Sequence, residues 1–126
     1  MRRRISSGST FEKTYGYSRA VVNSGEVHVS GTTGYDYETM TMPEAPEEQA
    51  RNIYATIASV LKEAGGSLAD VVRLRTYVTD GVYCEPVLKV QGEVFADIRP
   101  AATIVVVAGL LTPQMKVEIE ADARFG

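Results

Sequence analysis

The sequence of 126 residues contains one cysteine, Cys84, and one histidine, His28, the residue types that most often act as nucleophile, base or soft metal ligand. One of each leaves too few soft ligands for a zinc site, and a lone thiol cannot close a disulfide within the chain. A reactive thiolate needs a basic partner, and none stands beside Cys84 in the sequence. We therefore interpret Cys84 as an inert residue at a helix start, in a protein of the reducing cytoplasm.

Carboxylates offer a second kind of chemistry near the end of the chain. Apolar residues alternate there with the charged residues Lys116, Glu118, Glu120, Asp122 and Arg124. This period of two predicts a strand with one buried and one charged face. A positioned carboxylate such as Glu118 can take a proton from an attacking water molecule, whereas a carboxylate on a charged strand face is by default only solvated.

Composition limits the classes of partner. The formal net charge of -3 provides no general field that attracts nucleic acids or anionic lipids. The basic cluster Arg2 to Arg4 is interpreted as a solvated leader or the flank of a first strand. The longest apolar run, residues 104–108, is far shorter than the ~20 residues of a membrane helix. We expect one domain over residues 1–126, with neither nucleic-acid nor membrane partners.

The first half of the chain predicts a β-hairpin followed by a helix. Val27 and Val29 alternate with Glu26 and His28 after the turn at residues 23–25, and one wet strand face explains His28 without any chemistry. From Pro46 the apolar residues recur at three- and four-residue steps until Gly65. This spacing is typical of an amphipathic helix with proline at its first position and glycine after its end.

The second half repeats the alternation of strand and helix. Residues 72–78 predict a strand, and a helix is indicated by the apolar spacing of Val87, Leu88, Gln91, Val94 and Phe95, ending before Arg99-Pro100. Residues 103–108 and 115–123 predict two closing strands. The order β-β-α-β-α-β-β indicates an α+β fold with both helices on one face of a mixed sheet. The other face keeps apolar residues, and another copy of the chain, related by rotational symmetry, is the simplest cover for it.

The segment from Arg99 to Leu111, RPAATIVVVAGLL, followed by KVEIEA at residues 116–121, resembles the C-terminal signature of the Rid family of imine and enamine deaminases. That family is also called YjgF/YER057c/UK114 and was formerly described as endoribonuclease L-PSP. Tyr17 before a hairpin that ends at Ser30 and Gly31, and the spacing of the long helix before Val71, extend the resemblance over nearly the whole chain.

The resemblance implies a chorismate-mutase-like fold and a homotrimer with a central barrel, whose intersubunit clefts hold a small ligand. It also implies hydrolysis of 2-imino acids to 2-oxo acids and ammonia without metal or cofactor. Glu118 matches the glutamate that assists the attacking water, and Tyr17 matches an aromatic residue of the cleft. Ser30 and Gly31 match the segment that supplies polar and backbone contacts, and Thr103 is assigned to substrate binding with them.

The sequence departs from the family at Ala102. Deaminases have an arginine at the matching position, whose planar fork holds the substrate carboxylate through paired hydrogen bonds. Alanine has no donor and no charge. Arg75, Arg19 and Arg99 are the cations that could substitute, and Arg75 is preferred because its strand is expected to border the cleft.

Two functions therefore remain open. The chain is either a hydrolase of an imine or enamine that lacks a carboxylate or binds it differently, or a trimer that binds a small metabolite without breaking a bond. The acidic balance and the lone histidine argue against the ribonuclease activity formerly attributed to the family.

Overall fold

Residues 2–125 are described by a computed structural model. The strands are β1 (Arg2–Ile5), β2 (Ala20–Asn23), β3 (Glu26–Thr33), β4 (Val71–Val78), β5 (Ala101–Val106) and β6 (Val117–Arg124). The helices are α1 (Thr10–Tyr15), α2 (Pro46–Ala64) and α3 (Cys84–Val94), and two short 3-10 turns precede β4 and α3.

The six strands form one mixed sheet in the order β1-β2-β3-β6-β4-β5. Neighbouring strands are antiparallel except β4 and β5, which run parallel and are connected through α3. The predicted α+β fold is confirmed, and Cys84 is the first residue of α3 as expected.

Both long helices cover the same face of the sheet. The residues of β6 with odd numbers, from Val117 to Ala123, are buried together with Ile53, Ile57 and Leu61 of α2. The even-numbered residues of β6 consequently face the other side, which we call the open face. Glu118 lies on this open face.

The ends of α2 follow its sequence signals. Pro46 occupies the first turn, Glu47 and Glu48 lie there beside the positive end of the helix dipole, and Gly65 adopts the left-handed conformation with φ of 99°. The helix begins and ends as predicted.

The structure adds two elements to the predicted order. Arg2 to Arg4 do not form a leader or a mere flank, because they pair with β2 as the edge strand β1, in the register Arg4 to Val21. An edge strand needs only backbone partners, so its arginine side chains stay exposed and leave no apolar alternation to detect. Helix α1 has six residues between Ser9 and Gly16, too few for a helical period.

The predicted apolar positions of the α3 region are only partly buried. Val87 and Phe95 are buried and Val94 packs against the core, as the spacing indicates. Leu88 is exposed instead, and Val90 is buried as well. No helix within residues 2–125 is long and apolar enough to cross a membrane.

Candidate functional site

The centre of the candidate site is an irregularity in β3. Val29 pairs with Ala121 and Thr32 pairs with Ile119, so β3 uses one residue more than β6 over this interval. Ser30 and Gly31 form this β-bulge. Bulges re-aim side chains without ending a strand, and this one keeps Val29 and Thr32 on the buried face.

The bulge is held by hydrogen bonds to the residues that precede β2. The Ser30 amide donates to the Arg19 carbonyl at 2.9 Å, and the Ser30 hydroxyl donates to the Ser18 carbonyl at 2.7 Å. Thr32 donates its hydroxyl to the Ser30 carbonyl at 2.8 Å. These bonds engage the amide, the hydroxyl and the carbonyl of Ser30. They thereby fix the backbone of Ser30 and Gly31.

Glu118 packs directly against Gly31. A methyl group on the Gly31 Cα would lie 3.0 Å from the Glu118 Cδ atom and closer still to Oε2. Any residue larger than glycine would displace this carboxylate. The need for glycine here is therefore one of space, since Gly31 has no positive φ.

Arg19 lies on the other side of Gly31 and is only 3% exposed. Its guanidinium donates to the Gly31 carbonyl at 2.7 Å and to the Tyr37 hydroxyl at 3.4 Å. The Arg19 Cζ atom also lies 5.7 Å from the centre of the Tyr17 ring, a cation-π distance. Arg19 thereby connects the bulge, the aromatic residue before β2 and the loop after β3.

The surroundings of Glu118 act on its ionisation in opposite directions. Burial raises the pKa of its carboxyl above the ordinary value of 4.5, the positive charge of Arg19 lowers it, and the neighbouring Glu120 raises it further. The net shift is upward. A half-buried carboxylate with a raised pKa is a better proton acceptor than one in water.

A cleft of about 810 Å³ opens between β1, β2 and the segment around α1, and its lining includes Ser30 of the bulge but not Glu118. Tyr17 and Ser30 line it, and the Tyr17 side chain is 41% exposed. Arg2, Arg4 and Lys13 contribute positive charge to its walls.

One wall of the cleft is fastened by Glu12, which is buried. Its carboxylate accepts hydrogen bonds from the Ser7 amide and the Ser7 hydroxyl. Burial alone would raise the pKa of Glu12, but the bonds from Ser7 outweigh it and the pKa is lowered. Glu12 thus has its own partner.

Three sequence-predicted residues lie together at this place: Glu118, Gly31 and Ser30, with Tyr17 joined to them through Arg19. Arg75 and Thr103 do not touch them. They pair with each other across β4 and β5, and Arg75 stands opposite Glu120, one step along β6 from Glu118. The Arg75 guanidinium is exposed and forms ion pairs with Glu120 at 3.3 Å and Asp122 at 3.4 Å.

Ala102 lies on the edge strand β5 and is exposed. It pairs with Leu74, whose side chain is buried against the helices, so position 102 points away from the open face that carries Glu118. A side chain at this position therefore points away from Glu118 of the same chain.

The other two chemically capable residues take no part in this arrangement. His28 is exposed on β3, where its Nδ1 lies 2.9 Å from an Asp122 oxygen. Cys84 is half-buried and packs against the core. Within residues 2–125 no three potential metal ligands lie close enough together to hold an ion.

Sequence reasoning missed two residues of the site. The sequence identifies Arg19 only as a possible substitute for the missing arginine at position 102. Nothing in the neighbouring residues indicates that Arg19 is buried. Tyr77, which pairs with Glu118 across β4 and β6, had no signal beyond its place in an alternating strand. Its pKa is raised, first by burial and then by the charge of Glu120.

The chain is similar to known proteins over almost its whole length. The family model described as endoribonuclease L-PSP matches residues 8–125. The uncharacterized protein SCO2049 of Streptomyces coelicolor is 30% identical over 124 residues, which are 98% of this chain and 92% of that protein.

Two solved structures extend the comparison. Rv2704 of Mycobacterium tuberculosis, described as a member of the YjgF/YER057c/UK114 family, is 43% identical with a TM-score of 0.90, over 98% of this chain and 99% of the other. RidA from an Antarctic Psychrobacter is 31% identical with a TM-score of 0.83, over 97% and 94% of the chains. The chain belongs to the endoribonuclease L-PSP family, that is, the YjgF/YER057c/UK114 or Rid family.

Proposed function

We propose that the chain hydrolyses a small imine or enamine to a carbonyl compound and ammonia, with Glu118 as the base. The observation that carries this proposal is the position of the Glu118 carboxylate. It is half-buried against the fixed Gly31 backbone, and Gly31 directly follows Ser30, which lines the cleft together with Tyr17. A merely solvated strand carboxylate would have neither its raised pKa nor its close contact with the bulge.

The reaction is a proton transfer coupled to addition of water. Glu118 accepts a proton from water while the water oxygen forms a bond to the electrophilic carbon of the C=N group, and it passes this proton to the nitrogen to give a neutral amino alcohol. Glu118 then transfers the hydroxyl proton of the amino alcohol to the nitrogen, so that the C–N bond breaks, ammonia leaves and the C=O bond forms. One imine and one water thus give one carbonyl compound and one ammonia, and the Glu118 carboxylate is regenerated.

The substrate preference follows from Ala102. Since position 102 carries no cation and Arg75 is already paired with two carboxylates, we propose that 2-imino acids are poor substrates. The proposed substrate is an imine without a carboxylate, or one that places its anionic group elsewhere, for example toward the positive wall of Arg2, Arg4 and Lys13. Tyr17 and Ser30 are proposed to contact the substrate, and Thr103 and Arg75, which lie toward the opposite edge of the sheet, are proposed to border the cleft from a neighbouring subunit.

We further propose that the active form is a homotrimer with an intersubunit cleft. The β5 edge is apolar and exposed, with Val106 at 56% exposure, whereas the β1 edge is protected by three arginines. An unprotected apolar edge strand is rare in a monomer. In such a trimer, position 102 would face a neighbouring subunit. This agrees with the deaminases of the family, in which the arginine at this position holds the substrate carboxylate in an intersubunit cleft.

Release of ammonia from freshly generated imines, with and without a carboxylate, tests the proposal. Turnover of the carboxylate-free imines supports it, and no turnover of any member of the panel opposes it.

The second candidate is a trimer that binds a small metabolite without chemistry, and the missing clamp at Ala102 favours it. A ligand that raises the melting temperature but releases no ammonia would support this candidate. In either case the free thiol of Cys84 fits the reducing cytoplasm, and the self-assembled trimer and a small ligand are the expected partners.

A further inference from the structure

Arg19 is a buried cation that forms no close ion pair within residues 2–125, although its charge lowers the pKa of two carboxyls, Glu12 and Glu118. No carboxylate oxygen of these residues lies within 4.0 Å of its guanidinium, whereas five arginine-carboxylate contacts occur elsewhere. Its Nε atom is buried and has no hydrogen-bond partner. Buried charges are normally paired, because removing them from water is costly. A role beyond packing would explain why this one is kept.

Two of the three contacts of Arg19 lead to the candidate site. One Nη atom donates to the Gly31 carbonyl at 2.7 Å, and the Glu118 carboxylate packs against the Cα of the same glycine. The guanidinium lies over the Tyr17 ring, which lines the cleft. A single planar group thus touches the backbone below the proposed base and the aromatic wall beside it.

We propose that Arg19 is the positioning residue of the site, which fixes the Gly31 backbone and the Tyr17 ring and thereby the place of the Glu118 carboxylate. Arg19 acts through these groups rather than on the substrate, since its own atoms are almost fully covered. Lysine could supply the charge but not the fork that reaches both Gly31 and Tyr37.

Other charged groups around Glu118 are accounted for. Glu120 lies two residues along β6 and raises the pKa of Glu118, and Tyr77 stands opposite on β4. Lys116, two residues earlier on β6, donates to the Glu44 carbonyl at 2.7 Å and stacks on Tyr83. Arg75 is occupied by Glu120 and Asp122. Arg19 is the cation whose positive charge lowers the pKa of Glu118.

The inference rests on the proposed function, because it assigns Arg19 a role in the site of imine hydrolysis. It can be tested without an activity assay, by following the titration of Arg19 and Glu118. In the native protein, the NMR signal of the Arg19 Nε-H group should move with pH at the same midpoint as the carboxyl carbon of Glu118. In Glu118→Gln, this movement should vanish. An Arg19 signal that ignores the titration of Glu118 would overturn the inference, even if the protein is an active hydrolase. Coupled titration in a protein that hydrolyses no imine would leave the inference standing and overturn the proposed function.

Two variants separate charge from shape. Arg19→Gln should raise the midpoint of Glu118, because the opposing charge is gone. Arg19→Lys should keep the midpoint near the native one. In both variants kcat/KM should fall about tenfold to a hundredfold, because the Gly31 backbone, the Tyr17 ring and Glu118 are no longer held in place. For Arg19→Gln, the acidic limb of the pH profile of kcat/KM should also move to higher pH.

An unchanged midpoint in a folded Arg19→Gln, or a lysine variant with native kcat/KM, would contradict the inference. If Arg19→Gln does not fold, the native and Glu118→Gln titrations alone still decide it.

Discussion

The carboxylate of Glu118 occupies the space that a side chain on Gly31 would need. A methyl group there would lie 3.0 Å from the Glu118 Cδ atom. Because the obstructing group is the end of a flexible side chain, Gly31→Ala should move the carboxylate and leave the sheet intact. Hydrolysis should fall about tenfold to a hundredfold, since catalysis is sensitive to displacements of about an ångström.

The matched control is Gly92→Ala, where the added methyl group meets no atom within 4 Å. Gly31→Ala should unfold close to the native temperature, and Gly92→Ala, within helix α3, at or somewhat above it, because alanine favours a helix more than glycine does. Turnover should fall only in Gly31→Ala. Native turnover in a folded Gly31→Ala would show that the contact between Gly31 and Glu118 has no catalytic consequence.

The raised pKa of Glu118 predicts how stability changes with pH. Burial favours the protonated carboxyl in the folded state, so the folded protein binds this proton more tightly than the unfolded chain. The contribution of Glu118 to stability is therefore largest below the ordinary carboxyl pKa of 4.5 and is lost as pH rises through the raised value. Above that range, Glu118→Gln should be more stable than the native protein.

Chemical denaturation at fixed protein concentration over a pH series measures this difference. The advantage of Glu118→Gln should shrink as the pH falls towards 4.5. A native protein that is the more stable of the two at pH 7, by any margin, would mean that ionised Glu118 is stabilised rather than strained by its surroundings.

Gln49 holds the start of β6 in place. Its side chain is 1% exposed, and its Nε2 donates to the carbonyls of Pro43 and Gln114, each at 2.9 Å. Its Oε1 accepts from the Lys116 amide at 3.0 Å, two residues before Glu118. Gln49→Met would leave these three backbone groups unpaired, so the free energy of unfolding should fall by roughly 2–4 kcal/mol.

Gln114→Met, which replaces an exposed amide, is the control and should change the free energy of unfolding little. If Gln49→Met unfolds at the native denaturant concentration, water must replace the amide, and Gln49 does not anchor β6.

The surroundings of Ala102 leave space for an arginine side chain at this position. Ala102 is exposed, so the added side chain meets no packed core, and it points away from its own Glu118. In a trimer, Ala102→Arg should create or raise the hydrolysis of 2-imino acids. A charge-assisted hydrogen bond of about 1.5–3 kcal/mol corresponds to roughly a tenfold to hundredfold gain in kcat/KM.

Ala101→Arg adds the same charge on the opposite face of β5 and should give no gain. The measurement is formation of 2-oxo acid from freshly generated 2-iminobutyrate at equal protein concentration. A folded, trimeric Ala102→Arg without any gain would show a cleft remodelled more widely and would favour the metabolite-binding function.

The fold could be predicted from the periodic segments of the sequence. Helix α2 and strand β6 each bury one regular face, so the spacing of their apolar residues shows directly which secondary structure they form. Strand β1 and helix α1 were missed, since an arginine-rich edge strand and a six-residue helix bury too little to leave a pattern.

The site was predictable in part. Glu118, Tyr17, Ser30 and Gly31 were found through the family resemblance, not through the charges of β6. The role of the bulge at Ser30 and Gly31 depends on a pairing shift between distant strands. The burial of Arg19 depends on Gly31 and Tyr37, which lie 12 and 18 residues away. No local pattern encodes such contacts.

The central claim is that Glu118 performs imine hydrolysis, and its most direct test compares the native protein with Glu118→Gln. Ammonia release is measured from a carboxylate-free imine generated in solution, with light scattering used to establish that both proteins are trimers. The amide keeps the shape of the side chain but cannot accept the proton, so the native protein should turn over and Glu118→Gln should fall to the rate of the uncatalysed reaction. Equal rates in the two trimers would show that Glu118 is only a strand carboxylate and would contradict the proposed function.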